Sequence, residues 1–249
     1  MINFPYLKNT FRSNAGLLAI FTAVLCLFLT AICIVFKPDS GIAIIQGGGT
    51  LNAFLANSFY AVMAVIFPMV YSIIVGNGLI AKKIDDTSMA AYLSTPVSRG
   101  KVVGSSALYF ILSHVVMWAV VSVLGIILGT NLQADYFDVG QFLLLNLGAL
   151  LYHLAISSIS FCASCVFSSS KKSLLAGAGI PLISFILSLL TKFSDSLEAF
   201  KYLTLSTLFD TSAILSGEGY IPQFIALGAI TVVLYTVGIV VFKKKSLPL

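Results

Sequence analysis

Six long apolar runs, each without a single Asp, Glu, Lys or Arg, dominate the pattern of hydrophobic and polar positions in this chain. They are residues 15–36, 53–81, 102–129, 140–167, 174–191 and 221–242. A helix needs about 20 apolar residues to cross the hydrocarbon core of a membrane, so each run can cross once. Because backbone groups in lipid must be satisfied internally, the runs predict six transmembrane helices, here called spans 1 to 6.

The composition excludes a water-soluble protein. Of the 249 residues, 59% are hydrophobic and only 9% are charged, whereas a soluble domain carries about 25% charged residues. Most of the surface must therefore face lipid. We predict an all-α membrane protein with a single transmembrane domain over residues 1–249. The net charge of +5 does not indicate nucleic acid, because basic cytoplasmic loops explain it in a membrane protein.

The charges between the runs predict the orientation of the chain. One side holds the two ends of the chain and the connections between spans 2 and 3 and between spans 4 and 5. These segments carry eleven of the fourteen basic residues and only two of the nine acidic residues. The positive-inside rule makes this side cytoplasmic, so both termini are expected in the cytoplasm.

Two segments next to the spans have patterns typical of short helices. Residues 3–13 mix aromatic and basic side chains, which predicts an interfacial helix on the inner membrane surface. Residues 192–220 are external and carry apolar side chains at helical spacing. They predict one or two short external helices between spans 5 and 6.

The longest cytoplasmic connection, residues 82–101, is called the inner loop here. Asp85 or Asp86 can cap a short helix within it. The apolar positions of that helix are Met89, Tyr92 and Leu93. Pro96 ends it, because the residue before a proline is forced out of helical geometry. Such a helix could present apolar side chains to a cytoplasmic partner; an ordinary connecting loop is the alternative.

Several kinds of chemistry lack the residues that they need. The chain has no Gly-x-x-x-x-Gly-Lys-Ser/Thr sequence, so it cannot bind ATP through a P-loop. The spans contain no carboxylate, which disfavours ion- or proton-coupled secondary transport. Cys162 and Cys165 share one apolar run with no further ligand beside them. We therefore predict no metal site and no catalytic residue.

The two histidines, His114 in span 3 and His153 in span 4, lie at similar depths along their helices. They are candidate pathway residues, because a polar group within the membrane can line a route for a substrate. Alternatively, each is a neutral imidazole that bonds to a neighbouring helix. Gly125 and Gly129 in span 3 are spaced for close helix packing, either within one chain or between two.

The end of the inner loop carries a family resemblance. Residues 92–99 are Tyr-Leu-Ser-Thr-Pro-Val-Ser-Arg. This resembles the Leu-Leu-Ser-Thr-Pro-Val-Ser-Arg-like ending of the loop after the second helix in ABC-2-type transporter permeases. Ser88 and Met89 stand where that family usually has Thr and an apolar residue, whereas Lys83 replaces the usual acid and Thr87 the usual Gly. The predicted six spans, the interfacial helix and the helical external segment also resemble this family.

The resemblance implies that the inner loop contains a coupling helix, which docks into a separate ABC ATPase subunit. The residues that it assigns to coupling are Asp85, Ser88, Met89, Tyr92, Leu93, Ser94, Pro96 and Arg99. ATP and Mg would then bind to the partner, so we expect no cofactor in this chain and no enzymatic activity of its own. A second permease chain, identical or a sibling, and membrane lipid are the other expected partners.

These features together predict the permease subunit of an ATP-driven exporter in a bacterial plasma membrane. Spans without charges suit a hydrophobic or amphipathic substrate, such as a peptide, a drug or a lipid. Exporters of amphipathic or antimicrobial peptides are a plausible match within the family. The alternatives are a secondary transporter or channel, and a membrane subunit that serves assembly or sensing rather than transport.

Overall fold

The structure, a computed structural model, describes residues 2–38, 49–93, 97–190 and 204–245, with the backbone alone at residues 91–93. Six of its helices are long and apolar enough to cross a membrane. They are Phe4–Val35, Leu51–Asp85, Arg99–Leu132, Val139–Val166, Ser170–Leu190 and Tyr220–Lys244. The prediction of an all-α membrane protein with six spans is therefore confirmed.

Span 1 differs from the prediction at its N-terminal end. One continuous helix occupies Phe4–Val35, so the helix predicted for residues 3–13 is present but is joined to span 1 without a break. No proline follows Pro5 in this helix to interrupt it. Its first turns also pack against span 3, where the hydroxyl oxygens of Tyr6 and Ser106 lie 3.1 Å apart.

Spans 2, 3 and 6 begin or end at charged residues that the predicted bounds left out. Span 3 begins at Arg99 rather than at residue 102, and span 6 continues to Lys244 rather than ending at residue 242. The predicted bounds stopped at the first charge. Long basic side chains can instead extend to the membrane surface while their backbone remains helical.

Span 2 is the least regular of the six helices. It consists of an α-helix at Leu51–Ser58, a π-helical turn at Phe59–Met63 and α-helices at Ala64–Leu79 and Ala81–Asp85. The second of these α-helices contains Pro68, which cannot donate to the carbonyl of Ala64. Single π turns of this kind often occur at functional sites.

Span 4 is the centre of the bundle and packs against spans 2, 3, 5 and 6. Spans 2 and 5 both approach it closely at Ser160. A Cβ atom added to Gly76 of span 2 would lie 2.8 Å from the Ser160 Cβ, and one added to Gly177 of span 5 would lie 3.2 Å from its Cα. The Ser160 hydroxyl also donates to the Gly177 carbonyl at 3.0 Å, which Pro181 leaves without its helical donor.

The two glycines of span 3 pack inside the chain. A side chain at Gly125 would overlap the ring of Phe142, and one at Gly129 would overlap the ring of Phe137. The spacing of these glycines therefore serves helix–aromatic packing within one molecule.

Residues 204–216, called the outer segment here, form a 3-10 helix at Leu205–Leu208 and an α-helix at Thr211–Ser216. The prediction of short helices between spans 5 and 6 is confirmed for this part, whereas residues 191–203 lie outside the described residues. Tyr152, whose hydroxyl lies 3.1 Å from that of Ser206, is about 20 Å along span 4 from Val139 at 1.5 Å per residue. The outer segment therefore reaches into the bundle.

Candidate functional site

The inner loop begins where the helix of span 2 is interrupted at Ile80. At this break the N–H of Ala81 donates to the Ser164 hydroxyl of span 4 at 2.8 Å. The chain then forms the short helix Ala81–Asp85 and, after a turn, a second helix at Ser88–Leu93. We call this second helix the loop helix. The sequence predicted it at this place.

Asp86 organises the start of the loop helix. Its Oδ1 accepts hydrogen bonds from the Ser88 hydroxyl at 2.6 Å and from the Ser88 N–H at 3.1 Å. These bonds from Ser88 lower the pKa of the exposed Asp86 carboxyl from its usual value, because they favour its charged form. Thr87 between them has a φ of 60°, a left-handed conformation that glycine adopts without steric cost.

Asp85 points to another element. Its Oδ2 accepts a hydrogen bond at 3.2 Å from the N–H of Ser170, the first residue of span 5. The sequence allowed either acid to cap the loop helix, and the structure separates the two: Asp86 bonds to Ser88, whereas Asp85 bonds to span 5. Local sequence could not show this, because the two bonded residues are far apart in the chain.

Met89 does not have the position that the sequence suggested. We expected it to project from the loop helix toward a partner, but its side chain is fully buried in the chain's own core. Met89 therefore attaches the loop helix to the core of the protein.

The remaining loop residues assigned by resemblance have mixed positions. Tyr92 and Leu93 belong to the loop helix, but the structure describes only their backbone, and Ser94 and Pro96 lie outside the described residues. Arg99 begins span 3, and its guanidinium donates to the carbonyl of Lys245 at 2.9 Å. This bond joins the end of the inner loop to the end of span 6.

Lys83, the residue in place of the usual family acid, joins the inner loop to span 1. Its ammonium group donates to the Tyr6 hydroxyl at 3.0 Å and lies 5.0 Å from the centre of the Tyr6 ring. A cation near an aromatic face gains electrostatic attraction as well as the hydrogen bond. Sequence reasoning missed this contact, since it treated residues 3–13 as a separate interfacial helix.

Both histidines are fully buried and bond to span 2 rather than to each other. The Nε2 atom of His114 lies 2.8 Å from the Ser72 hydroxyl oxygen, and that of His153 lies 3.2 Å from the Val65 carbonyl oxygen. These contacts are those of packing interactions between helices. Val65 is the second residue after the π turn of span 2, so His153 bonds to the backbone close to the point where the helix is irregular.

Toward the other end of the bundle, the outer segment packs an aromatic side chain against the spans. The Phe209 ring stacks on Tyr152 with 5.8 Å between ring centres and lies 6.2 Å from the Tyr60 ring of the π turn. Gly148 makes room for it, because a Cβ atom there would lie 3.0 Å from the Phe209 ring. The outer segment and the inner loop are thus attached to opposite ends of the same helices.

Comparison with known families yields one match over almost the entire chain. The matching family model is described as ABC-2 family transporter protein and covers residues 7–247. The matched region includes the inner loop, the outer segment and nearly the whole of every span. Comparison with curated proteins finds no match.

Proposed function

The chain belongs to the ABC-2 family of transporter proteins and is a membrane permease of an ABC transporter; from this premise we propose that it is the permease subunit of an exporter. ATP, with Mg, binds and is hydrolysed in a separate ABC ATPase subunit on the cytoplasmic side. The substrate is hydrophobic or amphipathic and moves outward across a bacterial plasma membrane. Two permease chains, identical or siblings, pair over two ATPase subunits.

The position of the inner loop is the observation that carries this proposal. Three of its side chains bond to three different helices: Lys83 to span 1, Asp85 to span 5 and Arg99 to the end of span 6. A force applied to the loop helix would therefore reach several spans together. That is the arrangement required if an ATPase on the cytoplasmic side is to drive movement within the membrane.

The chemistry of the spans supports an apolar or amphipathic cargo. Their side chains are mostly apolar, aromatic or hydroxyl-bearing, with a few amides and the two imidazoles, and no carboxylate lies within the six apolar runs. A small ion would need charged or carbonyl ligands along its route to replace its hydration shell. A peptide, a drug or a lipid with a large apolar surface does not have this requirement.

Two other functions make different predictions about the source of energy. A secondary transporter would stop when the proton gradient is collapsed, and an assembly or sensor subunit would move no substrate. Buried carboxylates normally serve ion coupling in secondary transporters, and their absence from the apolar runs favours the exporter.

An efflux experiment tests the proposal. Cells that lack the gene, and the same cells with the gene restored, are loaded with a fluorescently labelled amphipathic peptide, and its release is followed over time. We expect faster release in the restored cells. This release should stop when ATP is depleted and should persist when an ionophore collapses the proton gradient. Release that stops only with the ionophore would support a secondary transporter instead. Equal release from both strains, for peptide, drug and lipid probes alike, would contradict export.

A further inference from the structure

Span 5 is attached at its inner end to the inner loop and at its outer end to the outer segment. At the inner end, the Ser170 N–H donates to Asp85 at 3.2 Å. At the outer end, the Ser184 hydroxyl accepts the N–H of Leu205 at 2.7 Å. Span 4 also contacts both regions, through Ser164 with the Ala81 N–H and through Tyr152 with Ser206, but span 5 is the one bonded to a carboxylate of the inner loop.

The inner end of span 5 depends on a charge from outside its own sequence. The first turn of a helix carries a partial positive charge and favours acidic neighbours. Span 5 has no acid in its first turn and instead begins with the exposed cations Lys171 and Lys172. The Asp85 carboxylate supplies the missing negative charge from the inner loop. Asn77 of span 2 also bonds to the Ser170 hydroxyl, at 2.8 Å, but it carries no charge.

The outer end of span 5 holds the segment that covers the bundle. Leu205, which bonds to Ser184, begins the 3-10 helix of the outer segment. The next residue, Ser206, lies against the Tyr152 hydroxyl of span 4. The Phe209 ring then packs between Tyr60 and Tyr152. A shift of span 5 would act on the first residue of this segment.

We propose that span 5 transmits movement of the inner loop to the outer segment, with Asp85 as the positioning residue at its inner end and Ser184 at its outer end. The inference rests on the proposed function, because the movement of the inner loop comes from the docked ATPase. A packed helix can shift as a unit, and the Ser160 hydroxyl of span 4 replaces the hydrogen bond that Pro181 removes from the interior of span 5. When the loop helix moves, Asp85 moves the first turn of span 5, and Ser184 then releases or restores the cover formed by the outer segment.

Asp86 provides a matched control for Asp85. Both are exposed acids of the same loop, but Asp86 bonds only within its own turn, to Ser88. A variant at Asp86 disturbs the loop helix without touching span 5. A variant at Asp85 removes the contact with span 5 and leaves the Asp86–Ser88 turn in place.

Hydrogen–deuterium exchange of the complete complex tests the proposal. The tagged full-length chain is purified with its ATPase in lipid nanodiscs, without nucleotide or trapped with Mg-ATP and vanadate. In the wild type we expect trapping to change amide exchange both in the inner loop and in residues 205–216. Asp85→Ala should still co-purify with the ATPase and keep the response of the inner loop. In this variant, the change in amide exchange that trapping causes in residues 205–216 should be about threefold smaller than in the wild type. This is the effect of losing an exposed charge at a helix end.

Three further variants complete the design. Asp86→Ala should keep the full response of residues 205–216. Asp85→Asn, which can still accept the Ser170 bond but lacks the charge, should lie between the wild type and Asp85→Ala. Ser184→Ala should lower the outer response without abolishing it, and the double variant Asp85→Ala/Ser184→Ala should respond like the more impaired of the two single variants, because the two residues act in series.

The outcomes separate this inference from the proposed function. If no ATPase co-purifies with the wild type, the proposed function fails. If it co-purifies but trapping leaves residues 205–216 unchanged in the wild type, the transmission by span 5 is wrong. The same conclusion follows if Asp85→Ala responds like the wild type, or if it loses the ATPase altogether. Independent, additive losses in the double variant would also overturn it.

Discussion

Two adjacent carboxylates of the inner loop bond to different helices, although nothing in their local sequence distinguishes them. Asp86 caps its own turn through Ser88, and Asp85 reaches the first residue of span 5. Met89 shows the same limit of local reasoning, because its spacing marked it as apolar but could not say whether it faces a partner or the chain's own core. At the scale of the residue, the type and spacing of side chains indicate which of them are important, but they do not show which residues these side chains contact.

We predict that Tyr92 contributes more to ATPase docking than any charged residue of the inner loop. A small interface concentrates its affinity in a few aromatic or apolar anchors, so Tyr92→Ala should weaken docking by about 2 kcal/mol, or about thirtyfold. Arg99→Ala should cost less, because its guanidinium bonds within the chain, to Lys245. Quantitative co-purification of the ATPase measures both variants.

Met89→Ala serves as the control for Tyr92→Ala. Since Met89 is fully buried, its truncation should lower the stability of the purified chain by about 2–5 kcal/mol through the cavity that it leaves. Thermal unfolding of the chain alone would register this loss and so distinguishes a loss of stability from a loss of docking. If neither Tyr92→Ala nor Arg99→Ala affects co-purification, the loop helix is only a connector.

The histidines should be replaceable by glutamine. His114 and His153 each bond to span 2, and the amide of glutamine can supply a hydrogen-bond donor at a similar reach. We expect His114→Gln and His153→Gln to retain most of the efflux activity, with no new dependence on pH. Complete loss of efflux in either variant at normal expression would show that the imidazole itself serves the pathway.

At the scale of the element, the continuous apolar runs identify all six spans, because only helices and closed barrels satisfy the backbone in lipid and barrel strands alternate apolar with polar positions. The misplaced boundaries have one cause. A charge ends an apolar run in the sequence, but a helix can continue past it while the long side chain reaches the membrane surface, as at Arg99 and Lys244. The π turn at Phe59–Met63 and the entry of the outer segment into the bundle depend on contacts between distant residues, and no local pattern predicts them.

The close contact of spans 4 and 5 at Ser160 predicts a specific sensitivity to residue size. Gly177→Val should push these helices apart and lower stability by about 1–3 kcal/mol, the usual cost of overpacking. Gly179→Val is the matched control, because a Cβ atom there has no neighbour within 4 Å among the described residues. Thermal unfolding in detergent compares the two variants, and equal transitions would contradict this packing.

At the scale of the whole molecule, the distribution of charge predicts that both termini are cytoplasmic and the outer segment is external. A reporter fused after Leu249 should therefore give a cytoplasmic signal, and one inserted within residues 195–218 should give an external signal. A cytoplasmic signal from the second insertion would contradict either the number of spans or their predicted orientation. The assignment of inner and outer ends to span 5 would then be wrong as well.

The most direct test of the central claim is whether an ATPase is bound to this chain through its inner loop. The tagged chain is purified in mild detergent from membranes of the cells that make it. The hydrolysis of Mg-ATP by proteins that co-purify with it is then measured. The same chain with residues 90–97 replaced by a Gly-Ser linker, which keeps the buried Met89 in place, is purified in parallel. We predict that a P-loop ATPase co-purifies with the natural chain and is lost from the linker variant, although both insert into the membrane equally. A well-folded natural chain without an ATPase, or an ATPase retained equally by both, would contradict the claim.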